Sequence, residues 1–187
     1  MKRAVEKYWV SALICVVLLL CFSVACQDKA AMTELEKFKA QAAVEQQNMD
    51  LVTKVFDELN KKNTEVYKEL YAADYGWHLP SNNPKALTRE EEEGFSKMLW
   101  AGFPDMRYDL KEMVARGDKV MVRFITGGTH SGEYQGLPPS GKKVEASGMW
   151  IGQVIDGKIV NAKEEFDVLG WMQQLGMELK PMIAQKK

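Results

Sequence analysis

Between Lys163 and Asp167 the chain reads Lys-Glu-Glu-Phe-Asp, an acidic cluster at the end of a strand-like run and just ahead of helix-forming residues. Aspartate in that place has two ordinary uses. Asp167 can cap the following helix, or, in a largely apolar pocket, its pKa climbs toward the working pH and it becomes a general base for carbon acids. Phe56, Trp77, Phe124, Trp150 and Phe166 can supply the walls. Strict alternation puts Glu165 on the face of Asp167 and sends Glu164 to the opposite face with Phe166. Two carboxyls in one dry site would keep one of them protonated.

The chain has two histidines. His78 follows Trp77 on a short strand before a polar loop, where its ring could donate to a substrate oxygen. His130 sits in Gly-Thr-His-Ser-Gly, able either to bond loop backbone or to reach a pocket mouth. Arg123, in mid-strand, turns inward only with a carboxylate partner such as Glu165 or Asp167, because an unpaired buried charge is too costly. Gln153 precedes an Asp-Gly turn and could donate to a developing enolate oxygen. His78, His130 and Asp167 lack helical or hairpin ligand spacing, so no metal site is expected.

The elements that must position these groups are legible from periodicity. Val120, Val122 and Phe124 alternate with Met121, Arg123 and Ile125, the period-two pattern of a strand. Runs from Val144 to Ile155 and from Ile159 to Val168 meet at Asp156-Gly157, which favours a tight hairpin. Met49, Val52, Val55, Phe56 and Leu59 recur at helical spacing. Asn63-Thr64 is placed to cap a second, short helix. Thr88 with Glu91 three residues later forms a capping box for a third, which runs through Phe95, Met98 and Leu99. Gly127-Gly128 and Gly132 with Gly136 lack the Lys-Ser/Thr ending of a phosphate loop and are read as bulges and turns.

Phe103-Pro104-Asp105, Gly128-Thr129-His130-Ser131-Gly132, Gly136-Leu137-Pro138-Pro139 and Asp167-Val168-Leu169-Gly170 resemble the motifs of the SnoaL-like polyketide cyclase or ester cyclase family. The resemblance runs from about Asn48 to Gly176. It implies an α+β, cone-shaped fold of the nuclear transport factor 2 type, a curved antiparallel sheet wrapped by N-terminal helices around a pocket. It also implies a small-molecule enzyme without a cofactor: Asp167 would abstract a proton next to a carbonyl, aided by His78, His130 or Gln153. Trp77, Phe124, Trp150, Phe56, Glu165 and Arg123 would line the pocket. Gln153 and Lys163 depart from the family pattern, which points to a wetter pocket and keeps a non-catalytic ligand-binding protein as the alternative. Self-association through the open sheet face is a further expectation of this fold.

Composition bounds the rest. The 187 residues are 46% apolar and 27% charged, with a net charge of -1 and no basic cluster. One domain with an appendage is expected, and nucleic acid is excluded as a partner. All three cysteines lie in the first 26 residues, so the domain has no disulfide framework. Lys2, Arg3 and Lys7, the apolar run from Tyr8 to Val24, and Ala25-Cys26 form a leader pattern. Ser23-Val24-Ala25-Cys26 resembles a bacterial lipobox, which implies lipid modification at Cys26 and an anchor holding the domain in the cell envelope. The expected layout is a leader over 1–25, a polar tether over 26–47, a domain over 48–177 and a short basic tail over 178–187.

Overall fold

The structure, a computed structural model, describes the backbone of residues 2–178 and the side chains of 29 and 31–178. The leader and Cys26 side chains and most of the basic tail lie outside the described residues. Among the described residues no helix is long and apolar enough to cross a membrane. The described residues form four helices and five strands in the order α1 (Lys2–Asn60), α2 (Glu65–Leu70), β1 (Tyr71–His78), α3 (Arg89–Gly102), β2 (Arg107–Arg116), β3 (Lys119–Thr129), β4 (Lys143–Ile155), β5 (Lys158–Phe166) and α4 (Val168–Leu175). The expected tether, 26–47, lies within α1.

The strands form one sheet in the order β1-β5-β4-β3-β2. β2 to β5 pair antiparallel, while β1 joins the edge parallel to β5, so the sheet is mixed rather than wholly antiparallel. Asp156 and Gly157 turn between β4 and β5 with φ of 50° and 71°, the left-handed pair that a two-residue hairpin of this kind requires. One face of the sheet is covered. Val52, Val55, Phe56 and Leu59 of α1 are buried on it against Val120, Val122 and Phe124 of β3. Asn60 fixes the end of α1 to β2, its amide donating to the Tyr108 carbonyl while its oxygen accepts the Tyr108 N–H at 2.7 Å.

The opposite face of the sheet is open and partly apolar, with Met121, Met149 and Ile151 exposed. Strand β5 ends at Phe166, two residues earlier than the periodicity predicts, because Asp167 begins the turn into α4. The capping box forms as expected: Thr88 accepts the Glu91 N–H, and Glu91 accepts the Thr88 N–H at 2.8 Å. Ahead of α2 it is Asn63 that accepts a helix-start N–H, from Glu65, while Thr64 makes no side-chain cap.

A bulge in β5 decides which acids face inward. Val154 pairs with Ile159 but Gln153 pairs with Asn161, leaving Val160 as an extra residue. An extra residue shifts side-chain parity beyond it. Ile159 and Ala162 are therefore both buried, Glu164 and Phe166 continue the inward side, and Lys163 and Glu165 are exposed.

Candidate active site

Between the covered face of the sheet and helices α1 to α3 lies a cavity of about 140 Å³. Its walls are largely aromatic. Phe56 meets Trp150 edge-on at 6.0 Å and Tyr108 edge-on at 5.5 Å, and Trp77 packs edge-on against Phe95 at 5.3 Å. Room for these rings comes from β4, where inward positions 148 and 152 are glycine. A Cβ on Gly148 would stand 2.3 Å from the Phe124 ring, and one on Gly152 would stand 1.9 Å from the Trp150 ring. Exposed Gln135 and Val168 belong to the same wall and mark the mouth.

Two carboxyls reach this cavity, Glu164 from β5 and Glu92 from α3. No lysine, arginine or histidine does so among the described residues. Burial pushes Glu164 up to about 8. Burial pushes Glu92 to about 8 as well, with the charge of Glu164 adding to the rise. The Trp77 indole beside Glu164 and the Tyr75 hydroxyl beside Glu92 pull the other way, but neither closes a well-formed hydrogen bond. Tyr75 Oη, Trp77 Nε1 and Glu92 Oε2 are buried polar atoms without a partner. Tyr67, Tyr71 and Tyr108 also line the cavity; Tyr67 shares a 2.7 Å hydrogen bond with Ser96, and burial raises its pKa well above the ordinary value.

Phe56, Trp77, Phe124, Trp150 and Phe166 lie in the cavity wall, and the remaining sequence candidates lie elsewhere. Asp167 caps α4, accepting the Gly170 N–H at 2.8 Å, and is exposed outside the cavity; the structure assigns it the cap. Glu165, on the outer side of the bulged strand, accepts the Ser81 N–H at 3.1 Å, so it is Glu164 and not Glu165 that faces the cavity. Gln153 donates to Asp118 at 2.6 Å near the β2–β3 turn, and Arg123 pairs with Glu112 at 3.2 Å; both lie away from the cavity. His78 is held by the Asn83 carbonyl at 2.8 Å. His130 is fully buried, stacked on Phe103 at 5.1 Å and 3.0 Å from the Ser140 hydroxyl. Neither ring lines the cavity.

The sequence motifs are joints between loops. Asp105 accepts the Thr129 N–H at 2.6 Å and the Thr129 hydroxyl at 2.7 Å, and these bonds hold its pKa below the usual carboxylate value. The N–H groups of Ser131 and Gly132 donate to the Gly102 carbonyl. Glu92 escaped the sequence reading although a signal was present. Glu92, Phe95, Ser96 and Leu99 recur at helical spacing on the inward stripe of α3, so an acid falls where an apolar residue is the rule.

A curved sheet with helices over one face and an apolar pocket bearing acids defines an α+β cone of the nuclear transport factor 2 type. The sequence model of the SnoaL-like polyketide cyclase family matches residues 50–175, and the chain belongs to that family. It is 25% identical over 136 residues to aklanonic acid methyl ester cyclase DnrD of Streptomyces peucetius, covering 68% of this chain and 90% of that protein. Among solved structures, IdmH, a polyketide cyclase candidate from Streptomyces antibioticus, superposes with a TM-score of 0.63 at 31% identity, covering 70% of this chain and 99% of that one. A SnoaL-like protein from Jannaschia sp. CCS1 gives a TM-score of 0.64 at 25% identity, covering 73% and 96%.

Proposed function

We propose that this protein is a cofactor-independent enzyme of cyclase or isomerase type that removes a proton from carbon next to a carbonyl, with Glu164 as the base. One observation carries the reading: Glu164 is an ionisable carboxyl set in an aromatic cavity with no cation beside it. Desolvation makes its carboxylate a stronger base than one in water, and a pKa of about 8 matches its proton affinity to work near neutrality. The aromatic walls suit an uncharged, mostly apolar substrate. The similarity to an ester cyclase supports the reaction type, and the leader pattern ending at Cys26 supports a place in the cell envelope, outside the cytoplasm.

Glu164→Gln keeps the shape of the side chain and removes the base. Wild-type protein and this variant are incubated with small ketones and esters in D2O and followed by NMR for exchange of protons beside the carbonyl. Exchange with the wild type alone supports the reading. Equal exchange with both would overturn it, and binding of a ketone without exchange would favour the ligand-binding alternative. A lipid-modified Cys26 peptide from the membrane fraction would support the location; its recovery unmodified from the cytosol would refute it.

A further inference from the structure

We propose that Glu92 is a second catalytic residue, a neutral carboxylic acid that protonates the carbonyl oxygen of a small, uncharged, single-ring substrate while Glu164 takes the proton from the adjacent carbon. The inference rests on the reading of Glu164 as the base. It starts from placement. Glu90 to Glu93 are consecutive acids at the start of α3, yet Glu92 alone of them is turned into the core, 7% exposed, and it lines the cavity with Glu164. Its Oε2 has no hydrogen-bond partner, and the Tyr75 hydroxyl beside it is equally unsatisfied. Leaving such atoms unpaired is costly in a folded protein unless something else meets them. A carbonyl oxygen, which accepts two hydrogen bonds, fits that set.

The groups around Glu92 explain why it keeps its proton. Facing the cavity are Glu164 from β5, Tyr67 from α2, Tyr71 from β1 and Tyr108 from β2, with the unpaired Tyr75 hydroxyl of β1 beside Glu92. All are neutral or acidic. Two carboxylates without a cation cannot both ionise cheaply in such a site. A charge on Glu164 opposes ionisation of Glu92, so the reactive form of the proposal carries one charge, on Glu164, and one proton, on Glu92.

The step then balances. The C–H bond breaks, its proton goes to Glu164, and its electron pair becomes the carbon–carbon double bond. The carbonyl π pair moves to oxygen and forms an O–H bond with the proton of Glu92. A neutral enol results, and the single negative charge has passed from Glu164 to Glu92 without leaving the cavity. Reversal with a deuteron from Glu164 gives exchange at carbon.

Size sets the substrate class. The cavity, about 140 Å³, is close to one of about 150 Å³ that accommodates benzene. One ring fills it.

The test uses the full chain in D2O with cyclohexanone and the two-ring ketone α-tetralone, reading exchange by NMR from pH 6 to 10. With cyclohexanone, Glu164→Gln is expected at the uncatalysed rate. Glu92→Gln is expected to lower kcat about 10²–10⁴-fold, with KM changed less than about threefold, and to lose the alkaline fall of a bell-shaped wild-type profile. Glu92→Asp, which keeps the acid on a shorter stem, should retain part of the rate. Wild-type kcat in Glu92→Gln beside an inactive Glu164→Gln overturns the acid role and leaves the base intact. Exchange of α-tetralone but not cyclohexanone overturns the size class alone. Exchange of neither overturns the base reading and this proposal together. Glu92→Gln should also melt higher than wild type at pH 9, so a lower melting temperature there would mark a structural role and count against the proposal.

Discussion

The charge on Glu164 at β5 reaches Glu92 at α3 through the cavity and helps to hold the Glu92 carboxyl neutral. Because each carboxyl titrates near 8 in the folded chain against 4.5 when unperturbed, the folded state binds more protons than the unfolded one between those values. The stability that follows is fully present below about pH 4.5 and is lost as the pH rises through 8. Denaturant melts from pH 5 to 9 should show it falling by at most about 1.4 kcal/mol per pH unit for each carboxyl. Glu92→Gln should flatten the slope, and an unchanged slope in that variant would place the pH dependence elsewhere.

Asp167 is expected to matter for stability and not for turnover. Asp167→Ala should cost about 0.5–2 kcal/mol through loss of the α4 cap, and Asp167→Asn, which also caps, should cost little. Neither should alter the exchange rate of a ketone. A large kcat loss in Asp167→Asn with unchanged stability would return the base to that position.

Gly148→Ala should destabilise the domain by about 1–3 kcal/mol, since the new methyl meets the Phe124 ring. Phe124→Leu in the same background should recover part of that loss. Equilibrium unfolding of the two single variants and the double variant measures the coupling, and strict additivity would contradict the contact.

Gln153→Ala and Arg123→Ala lie on groups turned away from the cavity. Both should leave kcat and KM unchanged and shift stability by no more than about 1 kcal/mol, as exposed polar partners usually do. A selective rise in KM for either would mean that the outer face touches substrate.

Much of the fold was readable because it rests on local rules. The alternation of Val120, Val122 and Phe124, the Asp156-Gly157 hairpin, the Thr88–Glu91 capping box and the α1 stripe each need only a few neighbouring residues to be recognised. The acids of the site were harder. Alternation that takes Asp167 as inward carries Glu165 with it, and only the pairing with β4 shows that Ala162, Glu164 and Phe166 are the inward side. Glu92 was hidden among four consecutive glutamates, three of them on the solvent side, and its own position follows from where α3 packs. The parallel seating of β1 on β5 depends on contacts far apart in the chain, which periodicity does not encode.

The two hydrogen bonds from Thr129 to Asp105, together with the stacking of His130 on Phe103, have a consequence for reading kinship. Most of the residues by which the chain resembles its relatives serve joints, riveting the β3–β4 loop to the segment after α3 or capping α4, and of them only Val168 lines the cavity, at its mouth. Such a signature certifies the scaffold and is silent about the reaction. A descendant could exchange Glu92 or Glu164, acquire another chemistry or none, and carry the same signature unaltered.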